Sequence, residues 1–148
     1  MNKTVIILRG APGSGKSTWV ENYFGYDCDE SVLCESVSAD TYRYDNFGDY
    51  IYKPEDNKKC HDLCFKEFCT LVSLQYDLLC VDNTNIKKNE YQRYVKYAQE
   101  HSYQVYQKVF TGDYSNIHGV PDDVIQRMRD TFEHDSVLPL FFPDIKKE

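Results

Sequence analysis

The sequence contains no apolar run that approaches the roughly 20 residues of a membrane-spanning helix, and no charged-then-apolar leader precedes its first apolar segment. We therefore expect no membrane association and a soluble, cytoplasmic protein, with a nuclear location left open. Basic residues are also scarce, because 17 Lys and Arg stand against 24 Asp and Glu, a formal net charge of −7. This deficit argues against extensive electrostatic wrapping of nucleic acid or of an anionic membrane, but it is compatible with a small basic pocket.

Repeats, low-complexity segments and signs of a second domain are absent as well. With 148 residues, of which 41% are hydrophobic, the chain is long enough to enclose a core and too apolar to be disordered. We predict a single domain over residues 1–148.

The six cysteines are compatible with disulfides in a secreted protein or with reduced thiols in the cytosol, and without a leader we expect reduced thiols. Cys60, His61 and Cys64 suggest zinc, but no second pair of ligands follows to complete a four-coordinate site. The alternative is the buried face of a helix, because apolar residues recur there at three- and four-residue steps. The residues of this face are Cys60, Cys64, Phe68, Leu71 and Val72.

Strand-like and helix-like segments alternate along the chain. Strands are predicted at residues 4–8, 36–38, 78–81 and 104–110, and helices at 18–24, 54–75, 90–100 and 122–132. The intervening segments 25–35, 41–53 and 111–121 are predicted loops, and the apolar tail 138–143 is expected to dock on the body. This alternation predicts an α/β three-layer sandwich with a mostly parallel central sheet.

A complete phosphate-binding loop follows the first strand. Residues 10–17 read GAPGSGKS, which satisfies GxxxxGK[ST] between a buried strand and a helix. The glycines let successive N–H groups point at phosphates, Lys16 adds a charge, and Ser17 offers its hydroxyl to Mg²⁺. A glycine-rich turn without a ligand is the alternative. The predicted sites for ATP or another NTP are Gly10, Ala11, Pro12, Gly13, Ser14, Gly15, Lys16, Ser17 and Thr18.

Two further strand ends carry polar residues suited to phosphoryl transfer. Asp82 and Asn83 follow the third strand, where a group near the metal is required, so they join Ser17 as predicted Mg²⁺-site residues. Asp40 and Arg43 follow the second strand and combine an acceptor for the proton of the attacking hydroxyl with a cation for an anionic group. In both places the alternative is simple capping by Asp or Asn.

Four motifs together resemble the polynucleotide 5′-kinase family, both the phage-type kinase domain and its stand-alone eukaryotic relatives. They are GAPGSGKSTW at 10–19, SADTYR at 38–43, VDNTN at 81–85 and HGVPDDVIQRM at 118–128, and residues 90–110 are similar to the family's next helix and strand. The resemblance covers nearly the whole chain in order. It implies a P-loop NTPase fold of the nucleoside- and nucleotide-kinase type.

The resemblance also implies roles for individual residues. Asp40 matches the general base that takes the proton of the acceptor's 5′-hydroxyl, and Arg43 matches the arginine that holds the acceptor's phosphate. Lys16 is implied as the third catalytic residue. Asn83 occupies the place of a metal-side aspartate, with Asp82 before it, and Thr84 and Asn85 are expected to orient this strand end on the substrate side.

One departure concerns the lid, whose arginines in the family embrace the donor phosphates just before the valine-proline pair. Between Lys108 and Arg127 the only potentially cationic side chain is His118, so the lid is predicted to be reduced, at about residues 111–121. Either Arg127 or Arg129 moves in, a neighbouring subunit supplies a cation, or catalysis is slow.

The resulting hypothesis is an ATP-dependent kinase of RNA or DNA 5′-hydroxyl ends, with repair proteins on other chains as possible partners. Residues 83–108 support it with a local net charge of +3, from Lys87, Lys88, Arg93, Lys96 and Lys108 against Glu90 and Glu100. Tyrosines are available for base stacking or for packing, namely Tyr42, Tyr44, Tyr50 and Tyr52. A small-molecule kinase and a weakly catalytic NTP-binding regulator are the alternatives.

Overall fold

The computed structural model describes residues 2–25, 31–114 and 119–141, and within them four strands alternate with helices. The elements are β1 (Thr4–Arg9), α1 (Lys16–Gly25), β2 (Cys34–Val37), α2 (Asn57–Ser73), β3 (Leu78–Asp82), α3 (Gln92–Glu100), β4 (Gln104–Val109) and α4 (Asp122–Asp130). Short 3-10 helices occupy Ala39–Tyr42, Pro54–Asp56 and Lys88–Glu90. No helix of the described ranges is long and apolar enough to cross a membrane.

The four strands form one parallel sheet in the order β2-β3-β1-β4. The central position of β1 explains its continuous apolar sequence, because residues 5–8 are completely buried between helices on the two faces. The predicted α/β class with a parallel sheet is therefore confirmed. Strand β2 begins two residues before its predicted start and ends one residue before its predicted end. This edge strand is only partly buried before Val37, so its sequence lacks the continuous apolar run of a central strand.

Alternation along β1 divides the core between the two faces of the sheet. Val5 and Ile7 pack with α2 and α3, whereas Ile6 and Leu8 pack with Trp19 of α1. This arrangement gives the three layers of the predicted sandwich.

Helix α2 packs through the face that the sequence predicts. Its buried residues are Cys60, Cys64, Phe68, Leu71 and Val72. The thiols at positions 60 and 64 therefore belong to the core, and no three His, Cys, Asp or Glu side chains of the described residues are grouped to bind a metal ion. The expectation of fully reduced cysteines is wrong for Cys34, which is disulfide-bonded, while Cys28 lies outside the described residues.

The segment after α4 returns to the sheet and extends it beyond β4. Leu140 forms a parallel bridge with Gln107, whose N–H donates to the Pro139 carbonyl at 2.9 Å and whose carbonyl accepts from the Phe141 N–H at 2.8 Å. The predicted docking of the apolar tail is confirmed for residues 138–141, and positions 142 and 143 lie outside the described residues.

Arg9, the last residue of β1, connects this segment to the carboxyl-terminal edge of the sheet. Its guanidinium is fully buried between the rings of Tyr91 and Phe132, with Cζ 4.7 and 4.3 Å from their centroids. It donates to the carbonyls of residues 85, 86 and 133 and to the side-chain oxygen of Gln107. One side chain thus joins the ends of three strands to the segment that follows α4.

Replacing Arg9 by methionine is expected to lower the free energy of unfolding by about 3 kcal/mol, because several buried acceptors lose their donor together. Chemical denaturation measures this loss directly, and the melting temperature should fall by about 10 °C. Arg93→Met is the matched control, since Arg93 is partly exposed and pairs with Asp62 on the surface. Equal stability of the two variants would contradict the role assigned to Arg9.

Candidate active site

The carboxyl ends of the four strands bring the predicted site residues to one edge of the sheet. Helix α1 leaves β1 on one face and α3 follows β3 on the other, so the connections of these two adjacent strands diverge and open a crevice between them. The phosphate-binding loop follows β1 and Asp82 ends the adjacent β3, so both lie at this edge of the sheet.

The backbone of the phosphate-binding loop has the curl that its glycines permit. Gly13 and Gly15 have positive φ angles of 80° and 111°. A Cβ at Gly10 would lie 2.7 Å from the Phe110 carbonyl oxygen and 2.6 Å from the Ser14 hydroxyl oxygen, so a side chain does not fit there. The loop ends at the first turn of α1, where N–H groups and the helix dipole favour an anion.

Lys16 folds along the loop and is largely buried. Its Nζ donates to the carbonyls of Gly10 at 2.6 Å and Ala11 at 3.0 Å. Burial lowers the pKa of the Lys16 ammonium, whereas the carboxylates of Asp82 and Asp40 act in the opposite direction. The structure therefore places both predicted acids within electrostatic reach of the loop lysine.

The four residues from Asp82 to Asn85 make different contacts at the end of β3. The Asp82 carboxylate acts to raise the pKa of Lys16, so it lies within electrostatic reach of the loop lysine. Asn83 instead accepts from the Ala39 N–H at 2.9 Å and directs its amide nitrogen to Cys64 Sγ at 3.7 Å. The side chain of Asn83 thus connects the end of β3 to Ala39 and to α2. The roles of Ser17, Asp82 and Asn83 at a Mg²⁺ site stay a prediction.

Thr84 and Asn85 tie the end of β3 to β1. The Thr84 carbonyl accepts from the Gly10 N–H at 2.9 Å. Asn85 is buried with a φ of 48°, and its amide donates to the Leu8 carbonyl at 2.7 Å. These contacts fix the end of β3 against β1 and the loop through backbone groups, while the role of the pair on the substrate side stays a prediction.

Asp40 and Arg43 form an ion pair next to the crevice. Arg43 Nε donates to Asp40 Oδ1 at 2.9 Å, and the Tyr50 hydroxyl donates to the same oxygen at 3.1 Å. Arg43 Nη2 donates to Asn57 Oδ1 at 2.8 Å, whereas Nη1 is buried and has no hydrogen-bond partner among the described residues. Burial and the Asp40 carboxylate raise the pKa of Tyr50, so the phenol remains a donor.

Tyr50 reaches Asp40 because residues 43–51 form a hairpin, where the sequence predicts only a loop. The Ile51 N–H donates to the Arg43 carbonyl at 2.7 Å, and Tyr44 pairs with Tyr50 in an antiparallel bridge. Gly48 turns the chain with a φ of 86°. The available signal was a glycine turn flanked by tyrosines, which favour strands.

The four tyrosines named for stacking are divided between packing and exposure. Tyr42 packs against the core and its hydroxyl donates to the Glu67 carboxylate at 2.8 Å, whereas the Tyr50 hydroxyl donates to Asp40. Tyr44 and Tyr52 are more than half exposed, and the Tyr52 ring lies 4.9 Å from Arg43 Cζ.

The basic residues of segment 83–108 do not form a single surface. Lys88, Arg93 and Lys96 line a depression along α3, whereas Lys108 lies over the rings of Trp19 and Phe110 on the α1 side. The local charge of +3 is therefore divided between two faces of the molecule.

Residues 110–114, which we call the strap, run directly against the phosphate-binding loop. The Gly112 N–H donates to the Ser14 carbonyl at 3.1 Å, and the Tyr114 N–H donates to the Gly13 carbonyl at 2.7 Å. A Cβ at Gly112 would lie 2.7 Å from that Ser14 oxygen, so glycine is required for this approach. The rest of the predicted reduced lid includes positions 115–118, with His118, which lie outside the described residues.

The two arginines of α4 differ in their relation to the strap. Arg129 Nη2 donates to the Gly112 carbonyl at 3.0 Å and lies 3.6 Å from the Asp113 carboxylate. Arg127 is mostly exposed and lies 3.9 Å from Asp123 on its own helix. Arg129 is therefore the better placed of the two cations considered as substitutes for the lid arginines.

Comparison with known proteins identifies relatives over most of the chain. A family model described as an AAA domain matches residues 5–134. NEDD4-binding protein 2 from Homo sapiens is 28% identical over 145 residues, which cover 92% of this chain and 8% of the human protein. The chain thus corresponds to a small part of that relative.

Solved structures share the fold. Kti12 from Chaetomium thermophilum, in complex with ADP-AlF3, has a TM-score of 0.63 at 16% identity, covering 93% of this chain and 88% of Kti12. A chain of the Pnkp1/Rnl/Hen1 complex has a TM-score of 0.59 at 20% identity, covering 99% of this chain and 43% of that one. The predicted P-loop kinase-like fold and the resemblance to polynucleotide kinase-like proteins are confirmed at this level.

Proposed function

The chain belongs to the AAA domain family, and from this premise we propose that it is a single-domain kinase with a reduced lid that transfers the γ-phosphate of ATP to 5′-hydroxyl ends of RNA or DNA. The observation that carries the proposal is the Asp40–Arg43 ion pair. Its carboxylate lies within electrostatic reach of Lys16, and one buried nitrogen of its guanidinium has no hydrogen-bond partner among the described residues. A proton acceptor, a cation for an anionic acceptor and a phosphate-binding loop are the parts that such a kinase would require.

In the proposed reaction the 5′-hydroxyl oxygen of the acceptor attacks the γ-phosphorus, and its proton passes to Asp40. The bond between the γ-phosphorus and the β–γ bridging oxygen breaks, and ADP leaves. Arg43 and Tyr50 hold the Asp40 carboxylate in place through hydrogen bonds to Oδ1. Lys16 and the loop N–H groups stabilise the charge that develops on the phosphates.

The residues present fit a magnesium ion. Ser17 supplies a hydroxyl at the start of α1 and Asp82 a carboxylate at the end of β3, a donor set of the kind Mg²⁺ uses together with water and phosphate oxygens. Bound there, the ion would neutralise charge on the β- and γ-phosphates. The two side chains would hold it, and Asn83 would act only by fixing this strand end.

Transfer from γ-labelled ATP tests the proposal over a panel of 5′-hydroxyl RNA and DNA oligonucleotides and free nucleosides. Labelled oligonucleotide ends are the expected result. Transfer to nucleosides or other metabolites alone would favour the small-molecule kinase, which the net charge of −7 supports. Nucleotide binding with no transfer would favour a regulatory protein, and purification with repair proteins would extend the proposal to partners.

Replacing Arg43 by alanine should affect acceptors according to their charge. With a nucleoside 3′-phosphate as acceptor, kcat/KM is expected to fall about 100-fold, because the phosphate loses its buried partner. With the unphosphorylated nucleoside the loss should be about tenfold or less, reflecting only the freed Asp40. Arg43→Lys keeps the positive charge but lacks the forked donors of the guanidinium, so its kcat/KM should be intermediate. Equal losses for both acceptors would rule out an acceptor clamp.

A further inference from the structure

The strap carries an exposed aromatic ring that the proposed reaction does not use. Tyr114 is 70% exposed, yet its own N–H is fixed to the Gly13 carbonyl at 2.7 Å. Its ring edge lies 3.6 Å from the position of a Cβ at Gly15. At Gly112 the same ring would be 2.4 Å from an added Cβ, so glycine at this position lets the ring approach the loop. The ring is therefore held next to the phosphate-binding loop while one side of it remains open to solvent.

The order of the strands gives the bound nucleotide a direction. Asp40 follows β2 and Asp82 follows β3, and both strands lie on the same side of β1. Transfer requires the γ-phosphate to point toward these acids. The opposite end of the nucleotide, with its ribose and base, must then extend toward β4, where the strap and Tyr114 lie.

We propose that the Tyr114 ring is the stacking surface for the base of the donor nucleotide. This inference deepens the proposed function and depends on it for the direction of the nucleotide. A tyrosine ring presents a π-face that any base can cover, and stacking of this kind is sequence-tolerant. The stacking face carries no pattern of donors and acceptors that distinguishes adenine from guanine. The donor class is accordingly a nucleoside triphosphate, with weak discrimination between ATP and GTP.

The proposal is tested by calorimetric titration of the full chain with ADP, GDP and inorganic triphosphate. Tyr114→Ala should weaken ADP binding about tenfold, because a stacked base contributes on this scale. The same variant should bind inorganic triphosphate as the wild type does, since alanine retains the N–H that bonds to Gly13. Tyr114→Phe should bind ADP normally, and wild-type affinities for ADP and GDP should agree to within about threefold. Phe47→Ala is the control, because Phe47 is 90% exposed at the hairpin tip.

Several outcomes would overturn this assignment. Unchanged ADP binding by Tyr114→Ala would remove the ring from the base site. Equal weakening of ADP and triphosphate would show that the ring supports the loop rather than the base. A wild-type chain that binds neither compound would overturn both this inference and the proposed function. ADP binding that depends on Tyr114, without transfer to any acceptor, would support the stacking surface and overturn the kinase proposal alone.

Discussion

Lys16→Ala is expected to reduce phosphoryl transfer by at least about 10³-fold, because the site loses the charge that faces the β- and γ-phosphates. The effect is large because the ammonium is already largely buried in the loop and held within electrostatic reach of Asp40 and Asp82. The label transferred per unit time from γ-labelled ATP measures it. The fold should survive, because the glycine backbone of the loop is retained along with its bonds to the strap.

The matched control is Lys58→Ala, which removes a lysine that is 88% exposed and pairs with Asp62 on the surface. It should transfer phosphate at the wild-type rate. Thermal unfolding of both variants separates loss of chemistry from loss of structure. If Lys16→Ala keeps more than about a tenth of the wild-type rate, the loop lysine does not stabilise the transferring phosphate in the way proposed.

Asp40→Asn is expected to lower kcat by about 10³-fold while leaving ATP binding unchanged. The amide retains a carbonyl oxygen that can accept from Arg43 Nε and the Tyr50 hydroxyl, so the local geometry is preserved. What is lost is the capacity to take the proton of the attacking hydroxyl. Single-turnover transfer and a separate nucleotide titration measure the two quantities.

Asp49→Asn serves as the control for Asp40→Asn, because it removes one negative charge from an exposed position of the hairpin that carries Tyr50, the partner of Asp40. We expect its kcat to stay within about twofold of the wild type, since a single exposed charge is well screened. Full activity of Asp40→Asn would exclude Asp40 as the base. Equal losses in both variants would point to the charge of the hairpin rather than to proton transfer.

The sequence predicts the fold and the loop well because their causes are local. The uninterrupted apolar run of β1 requires burial on both faces, and the spacing of the α2 stripe admits only a helix. Gly13 and Gly15 adopt the positive φ angles that the motif implies. The family match over residues 5–134 agrees with this organisation.

The contacts of Asn83 and Tyr50 are harder to predict from the sequence, because they join residues that are distant in the chain. Strand alternation places Asn83 on the same side as Val81, which packs with α2, and this orientation commits the amide to Ala39 and Cys64. The same alternation could have been used in the sequence to predict that Asn83 and Asp82 point to opposite faces of the sheet. No comparable sequence pattern predicts that Tyr50 contacts Asp40. The two residues are ten positions apart, and they meet only when the hairpin has formed.

Arg9 links the nucleotide site to the segment that follows α4. The same guanidinium donates to the carbonyl of Asn85, which follows β3, and to the carbonyl of Glu133 in the segment that follows α4. If docking of that segment favours the loop conformation that accepts phosphates, thermodynamic reciprocity requires that a bound nucleotide favour docking by an equal free energy. The affinity for the nucleotide and the docking of residues 133–141 on the sheet are then two measures of one equilibrium. A partner that bound residues 133–141 in their undocked state would therefore weaken ATP binding without contacting the phosphate site.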